Sequence, residues 1–159
     1  MNPPAGGTAR REAGPTMSTA DLGSSPPARP RRILLVDDSP EGRRALSRFL
    51  ILQGFEVIDR PDGASALEVL RAGPPPDVIL TDLLLPDIDG RQVCWHARQL
   101  VPTACVALIT GWAAESSASE AQRCAFDRVF LKPLDTRALV QFLFEFEPVS
   151  DPDLPAPGA

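Results

Sequence analysis

Several features that define large classes of protein are missing from this chain of 159 residues. No apolar run approaches the roughly 20 residues that a membrane-spanning helix needs, and the N-terminus lacks the apolar core of a signal peptide. We therefore predict a cytoplasmic protein without a membrane partner. Positive charge is also in deficit, since the net charge is −5 and the pI is about 4.9. This balance argues against a nucleic-acid partner, because such a surface needs a basic patch.

Cysteine is scarce, and proline is unevenly distributed. The three cysteines, Cys94, Cys105 and Cys124, are odd in number and lack CxxC spacing, which favours reduced, partly buried thiols. Ten of the 18 prolines lie in residues 1–30 and 147–159, so we predict that both segments are disordered tails. The remaining residues, 31–146, are enough for one domain with its own core.

Short apolar runs alternate with amphipathic segments throughout residues 31–146. Strands are predicted over 33–36, 55–58, 78–81, 106–109 and 128–131. Helices are predicted from Pro40 to Gly54, over 64–70, 91–100 and 113–123, and from Asp135 onward. Five βα units imply an α/β fold with a doubly wound parallel sheet and helices on both faces. The second strand carries Glu56 and Asp59 and therefore suits an edge of the sheet.

Lysine is almost absent: Lys132 is the only one among 16 basic residues. It ends one apolar run, and three other runs also end in polar side chains, namely Asp37 with Asp38, then Asp82, then Thr110. In doubly wound sheets, ligands bind outside the carboxyl ends of the strands. Three carboxylates, a hydroxyl and an ammonium at these ends predict a site for a divalent cation and a phosphoryl group. Mg²⁺ suits oxygen ligands and would offset the repulsion between the carboxylates.

Four segments carry a resemblance to the receiver domains of two-component response regulators. They are ILLVDDSP, VILTDLLLPDIDG, ALITG and VFLKPLD, which begin at residues 33, 78, 107 and 129. The resemblance covers residues 31–146 and implies the flavodoxin-like receiver fold, with the strand order 2-1-3-4-5. It also implies phosphoryl transfer to this chain from a sensor histidine kinase or a histidine phosphotransfer protein. Such a chain is a signalling domain and not an enzyme.

The resemblance implies a role for each site residue. Asp82 is the phosphoacceptor nucleophile, and Lys132 and Thr110 act with it. Asp38, Asp82 and the backbone carbonyl of Leu84 ligate Mg²⁺ directly, while Asp37 acts mainly through water. The peptide bond between Lys132 and Pro133 is cis in the family. Output passes through the surface formed by the fourth helix, the fifth strand and the fifth helix, to an unknown protein, from a monomer or weak dimer.

The chain departs from the family pattern at one position. Many receivers carry a switching Tyr or Phe three residues before the lysine, where this chain has Val129, and the chain contains no tyrosine. Phe130 has the opposite strand parity, so we expect it in the core. We interpret His96 as an exposed helical residue and not as a phosphotransfer histidine. Trp112 is either a partner contact or a packing residue.

Two further functions stay open at this point. One is a haloacid-dehalogenase-like phosphatase, which also uses an aspartate nucleophile but needs a second aspartate where this chain has Leu84. The other is a receiver-like binding module that no longer cycles phosphate. Only thirteen residues follow Phe146, so we expect a stand-alone receiver without an output domain.

Overall fold

The computed structural model describes residues 31–111 and 126–147. These residues form the elements β1 (Arg32–Val36), α1 (Pro40–Leu52), β2 (Glu56–Arg60), α2 (Gly63–Ala72), β3 (Val78–Asp82), α3 (Gly90–Leu100), β4 (Cys105–Thr110), β5 (Arg128–Leu131) and α4 (Thr136–Glu145). The helix predicted over 113–123, Trp112, Cys124 and the predicted tails, apart from residue 147, lie outside the described residues. None of the described helices has both the length and the apolar character that crossing a bilayer requires.

The five strands form one parallel sheet in the order β2-β1-β3-β4-β5, which confirms the predicted fold class and strand order. β2 lies at an edge, as its charged residues predicted. β1 and β3 are neighbours, and Val36 lies opposite Thr81 in their register. The residues that follow this pair, Asp37 and Asp82, therefore leave the sheet side by side at its carboxyl edge.

Alternation along the strands produces two separate cores. One face of the sheet packs against α2 and α3 through a first cluster that includes Leu34, Ile79 and Val106. The other face packs against α1 and α4 through a second cluster that includes Leu35, Leu80 and Ala107. Because β1, β3 and β4 contribute to both clusters, they are apolar along almost their whole length. This double burial fixes the strand ends that carry the polar side chains.

Each helix begins at a polar residue that caps its first turn. The side chains of Ser39, Asp62, Asp89 and Asp135 accept hydrogen bonds from backbone N–H groups of α1, α2, α3 and α4, respectively. These bonds satisfy donors that have no partner within the helix. The caps after β1 and β3 therefore hold the loops that contain the acidic residues.

Element boundaries and two helix faces differ in detail from the predictions. β2 begins at Glu56 because the N–H of Phe55 donates to the carbonyl of Leu50 and leaves the phenyl ring in the core. On α1, Ala45 is exposed although it shares the apolar spacing of the buried Leu50. On α4, Phe144 is 58% exposed, and its ring lies 5.0 Å from that of Phe55.

Candidate functional site

Carboxylates from two strand ends converge at the point where the winding of the sheet reverses. Asp37 and Asp38 follow β1, and Asp82 is the last residue of β3. One carboxylate oxygen from each of the three lies within 4.8 Å of the others. Asp37 and Asp82 are mostly buried, whereas Asp38 is exposed. The structure thus brings together the three acidic residues that the sequence placed at strand ends.

Lys132 reaches this cluster from the end of β5. Its Nζ donates to Oδ2 of Asp82 at 2.6 Å and to Oδ2 of Asp37 at 3.4 Å. Partial burial disfavours the ammonium, but the hydrogen bond and charge of Asp82, followed by those of Asp37, outweigh it and raise the pKa of Lys132. The peptide bond between Lys132 and Pro133 is cis, as the resemblance implied. The chain's single amine side chain is therefore charged and aimed at the carboxylates.

Both oxygens of Asp37 already have partners within the chain. Oδ1 accepts a hydrogen bond from the N–H of Ser39 at 2.8 Å, and Oδ2 accepts the bond from Lys132. The backbone carbonyl of Asp37 also accepts from Arg43 at 2.7 Å, and Arg43 forms an ion pair with Asp59 at 3.0 Å. Asp37 is consequently held more rigidly than the exposed Asp38.

The loop that follows Asp82 folds back against it. The N–H of Leu84 donates to Oδ1 of Asp82 at 3.2 Å, so the backbone of Leu84 lies beside the cluster. The N–H of Gly90 donates to the carbonyl of Leu83 at 2.8 Å. A β-carbon at position 90 would lie 2.2 Å from the carbonyl oxygen of Asp82, far inside contact distance. The loop can close in this way only because residue 90 is glycine.

Thr110 occupies the neighbouring strand end. It is the last residue of β4, is 1% exposed and pairs with Leu131 across the β4–β5 ladder. Its carbonyl accepts the backbone N–H of Lys132 at 2.8 Å. In the other direction, Ile109 lies opposite Asp82 in the β3–β4 register. Thr110 is thus one residue beyond the position beside Asp82 and is tied to the backbone of Lys132.

The donor set fits Mg²⁺. Three carboxylates this close together need a compensating cation, and Lys132 supplies one positive charge to the two buried acids. Carboxylate oxygens, together with a backbone carbonyl and water, are the ligands that Mg²⁺ prefers. The exposed Asp38 leaves the cluster open to solvent, as an ion that keeps several waters requires.

An apolar groove of about 580 Å³ opens beside the cluster. Its polar lining includes Asp37 and Lys132. Its apolar lining comes from α1, β4 and the segment before α4, and consists of Ala45, Leu46, Phe49, Ile109, Pro133 and Leu134. The sequence analysis missed this groove. Its only signal in the sequence was the apolar residues Leu46 and Phe49 of α1, and such residues are equally typical of an ordinary core.

A second feature that the sequence analysis missed is the side chain of Asp87. It accepts hydrogen bonds from the N–H groups of Gly63 and Ala64 at the start of α2, at 2.9 and 2.6 Å. Desolvation opposes ionisation, but backbone hydrogen bonds from Ile88, Gly63 and Ala64 outweigh it and lower the pKa of Asp87. No local pattern marks this contact, because its partners lie more than 20 residues away in the chain.

The other residues discussed in the sequence analysis lie outside the acidic cluster. Val129 is half-buried on β5, and Phe130 is 8% exposed in the second core cluster, where the sequence placed it. His96 is half-buried and not exposed as predicted, and its ring lies 4.8 Å from that of Trp95. Cys94 and Cys105 are buried thiols that form no disulfide bond.

Comparison with known proteins decides the family. The family model of the response regulator receiver domain matches residues 33–144, which is most of the chain and contains every site residue described above. The chain belongs to the response regulator receiver domain family. This match favours a receiver over the haloacid-dehalogenase-like phosphatase.

Two curated relatives show receivers in different settings. The chain is 42% identical over 105 residues to the regulatory protein AtoC of Escherichia coli, covering 65% of this chain and 22% of AtoC. It is 34% identical over 110 residues to the response regulator receiver protein CpdR of Brucella abortus, covering 69% of this chain and 91% of CpdR. The chain thus spans about a fifth of AtoC but most of CpdR.

A solved structure supports the fold. The CheY-like receiver domain protein of Methanospirillum hungatei superposes with a TM-score of 0.67 at 24% identity, covering 72% of this chain and 90% of that one. Receiver domains are signalling domains of two-component systems that interact with histidine kinases or phosphotransfer proteins. They bind Mg²⁺ at an acidic pocket.

Proposed function

We propose that this receiver accepts a phosphoryl group on Asp82 from a sensor histidine kinase or a histidine phosphotransfer protein, in the presence of Mg²⁺. The observation that carries the proposal is the contact of 2.6 Å between Lys132 and Asp82, beside two further carboxylates. An oxygen of Asp82 attacks phosphorus and forms an acyl phosphate. The bond from phosphorus to the donor imidazole nitrogen breaks, and the imidazole keeps the electron pair.

Lys132 and Thr110 then stabilise the product. Phosphorylation adds about −1.5 to −2 charges and strong acceptor oxygens at Asp82. The ammonium of Lys132 already lies beside the attacking carboxylate, so it meets the phosphoryl oxygens with little movement. The hydroxyl of Thr110, at the adjacent strand end, supplies a further donor. Charge-assisted hydrogen bonds of this kind are stronger than neutral ones.

We assign unequal roles to the metal ligands, of which Asp38 is the exposed one. Asp38 and Asp82, with the carbonyl of Leu84, would hold Mg²⁺ directly. Asp37 would act mainly through water, which is the role that the resemblance to receivers implies. When bound, Mg²⁺ supplies positive charge that offsets the carboxylates and the phosphoryl oxygens.

The groove beside α1 supports an approach route for the phosphodonor protein. Its lining is mostly apolar but includes Asp37 and Lys132, which lie next to Asp82. An apolar surface on the donor would pack in the groove while a phosphohistidine reached Asp82. For the downstream partner we keep the surface formed by the fourth predicted helix, which lies outside the described residues, together with β5 and α4, the fifth predicted helix. Leu131 on β5 is 46% exposed there, at the edge of the sheet.

We further propose a stand-alone organisation in the cytoplasm. The alignment with CpdR supports it, since it extends over 91% of that receiver protein. On this proposal, output is protein contact or onward phosphotransfer, from a monomer or weak dimer. Size-exclusion chromatography with light scattering, before and after phosphorylation, measures the oligomeric state.

The test of the proposed function is intact-mass spectrometry after incubation with acetyl phosphate and Mg²⁺. The unaltered protein should gain the mass of one phosphoryl group, and Asp82→Asn should gain none. Glu68→Gln, which changes an exposed carboxylate on α2, should be labelled like the unaltered protein. Labelling of Asp82→Asn would contradict the assignment. If the unaltered protein binds neither beryllofluoride nor Mg²⁺, the binding-module alternative is favoured instead.

A further inference from the structure

Asp87 joins the loop between β3 and α3 to the start of α2 by hydrogen bonds. Oδ1 of Asp87 accepts from Gly63, and Oδ2 accepts from Ala64, so both carboxylate oxygens are engaged by the first turn of α2. The cap residue of that helix, Asp62, accepts from a different donor, the N–H of Ser65 at 2.8 Å. Asp87 therefore satisfies two helix donors that the local cap leaves over.

Packing at the same place is equally close. Gly63 is buried, and a β-carbon on it would lie 2.2 Å from Cγ1 of Ile88. Ile88 itself packs against the first core cluster. The absence of a side chain at position 63 thus allows the loop to approach α2 closely enough for Asp87 to reach the helix start.

These contacts fix the middle of a short segment whose two ends are also fixed. At one end, Asp82 lies in β3 and accepts from the N–H of Leu84. At the other end, Gly90 donates to the carbonyl of Leu83. Leu84 lies between Asp82 and Asp87 and has an exposed side chain, so its own packing contributes little to its position.

We propose that Asp87 is a positioning residue that ties the β3–α3 loop to α2 and so holds the backbone of Leu84 where its carbonyl completes the metal site. This inference rests on the proposed function, since it assigns Asp87 a purpose at the same Mg²⁺ site. Asp87 acts through the loop and does not touch the metal. Partners that orient a ligand in this way commonly change metal affinity by about 10–100-fold when they are removed.

The experiment compares Asp87→Ala with Asp62→Ala in the full chain. Both variants remove one acidic cap from the start of α2, but only Asp87 belongs to the loop. Mg²⁺ affinity is measured by calorimetric titration with MgCl₂, and thermal unfolding is measured without metal. We expect Asp87→Ala to weaken Mg²⁺ binding about tenfold and Asp62→Ala to change it less than about twofold, even where both lower the melting temperature. Asp87→Glu, which keeps the carboxylate, should recover part of the affinity.

A second measurement does not depend on the metal. Amide hydrogen exchange, followed by NMR without Mg²⁺, should show faster exchange of the Leu84 N–H in Asp87→Ala but not in Asp62→Ala, because that N–H is bonded within the loop. Unchanged Mg²⁺ affinity in Asp87→Ala, or an equal loss in both variants, would overturn the positioning role. If the unaltered protein does not bind Mg²⁺, the proposed function fails, and the exchange rates alone decide whether Asp87 holds the loop.

Discussion

Gly90 and Asp82 approach each other so closely that a β-carbon on Gly90 would lie 2.2 Å from the carbonyl oxygen of Asp82. The obstacle is a backbone atom of a central strand, so it cannot move aside as the end of a side chain can. Close packing at this point brings the start of α3 against the end of β3. The orientation of the nucleophile is thus coupled to a residue that carries no functional group.

Replacement of Gly90 by alanine should damage the site and the fold together. The added methyl group must displace either α3 or the end of β3, and overpacking of this kind costs about 1–3 kcal/mol. We expect the free energy of unfolding, measured with urea, to fall by that amount, and labelling by acetyl phosphate to slow. As a control, Gly42→Ala adds a β-carbon whose nearest neighbour is the hydroxyl of Ser39 at 3.2 Å, and it should have little effect. Equal behaviour of the two variants would contradict the close-approach explanation.

Asp37 and Asp38 should contribute unequally to Mg²⁺ affinity, although they are adjacent. Asp38→Asn removes an exposed carboxylate that we assign as a direct ligand, whereas we assign Asp37 an indirect role through water. We expect Asp37→Asn to weaken binding by about tenfold, as for an indirect partner, and Asp38→Asn to weaken it further. Calorimetric titration with MgCl₂ measures both. The reverse order would show that Asp37 is the direct ligand.

The interaction of Lys132 with the acidic cluster should make a contribution to stability that disappears in alkali. Its pKa is raised in the folded state, so the folded chain holds this proton more tightly than the unfolded chain does. The contribution is complete below the unfolded value of 10.5 and is lost as the pH rises through the folded value. Because the side chain of Lys132 is 37% exposed, we expect no more than about 1 kcal/mol.

The composition of the chain makes this prediction easy to measure. The chain has no tyrosine and no second lysine, so few other groups titrate in this range. Burial, followed by the influence of Asp127, raises the pKa of Cys105 to about 12, but that effect is common to the unaltered protein and Lys132→Met. The difference in unfolding free energy between the two proteins should therefore shrink as the pH rises above about 10.5 and through the higher folded value. A difference that stays constant across this range would contradict the ion pair.

Arg31 should stabilise the end of α4. Its guanidinium donates to the carbonyls of Leu143 and Phe144 and lies 5.9 Å from the ring centre of Phe146. The last turn of α4 has no basic residue of its own, so Arg31 supplies the positive charge that a helix C-terminus favours. We expect Arg31→Ala to lower the unfolding free energy by about 1 kcal/mol. Arg44→Ala, on the exposed side of α1, should change it by less than about 0.5 kcal/mol.

The fold was predictable because its strongest signals are local. Apolar strands followed by Asp37, Asp82 or Thr110 predict both a parallel sheet and the edge of the sheet at which its ligand binds. Helix caps such as Ser39 and Asp135 are equally predictable, because a cap residue accepts hydrogen bonds from N–H groups within the next four residues. The strand order came from the resemblance to receivers, because periodicity alone does not say which strands are neighbours.

The remaining features depend on contacts between distant segments. In the sequence, Asp87 is only one residue of the segment VILTDLLLPDIDG, and nothing there indicates that its hydrogen-bond partners belong to α2. Phe144 has the helical spacing of a core residue, but its side chain is 58% exposed and lies beside Phe55. Fewer residues of α4 are buried than its apolar sequence predicts. The groove beside α1 arises from the spacing between two elements, which no single segment encodes.

Because Lys132 is the single lysine of this protein, its reaction with amine-specific reagents can be measured by itself. Reagents that acylate amines have one side-chain target, and that target is hydrogen-bonded to Asp82. The speed of such a modification therefore reports how firmly the ammonium is held, without mutation or an attached dye. In a mixture with a donor protein, peptide mass spectrometry can follow the acylation of Lys132 itself, because a change at the acidic cluster alters the reactivity of its nitrogen.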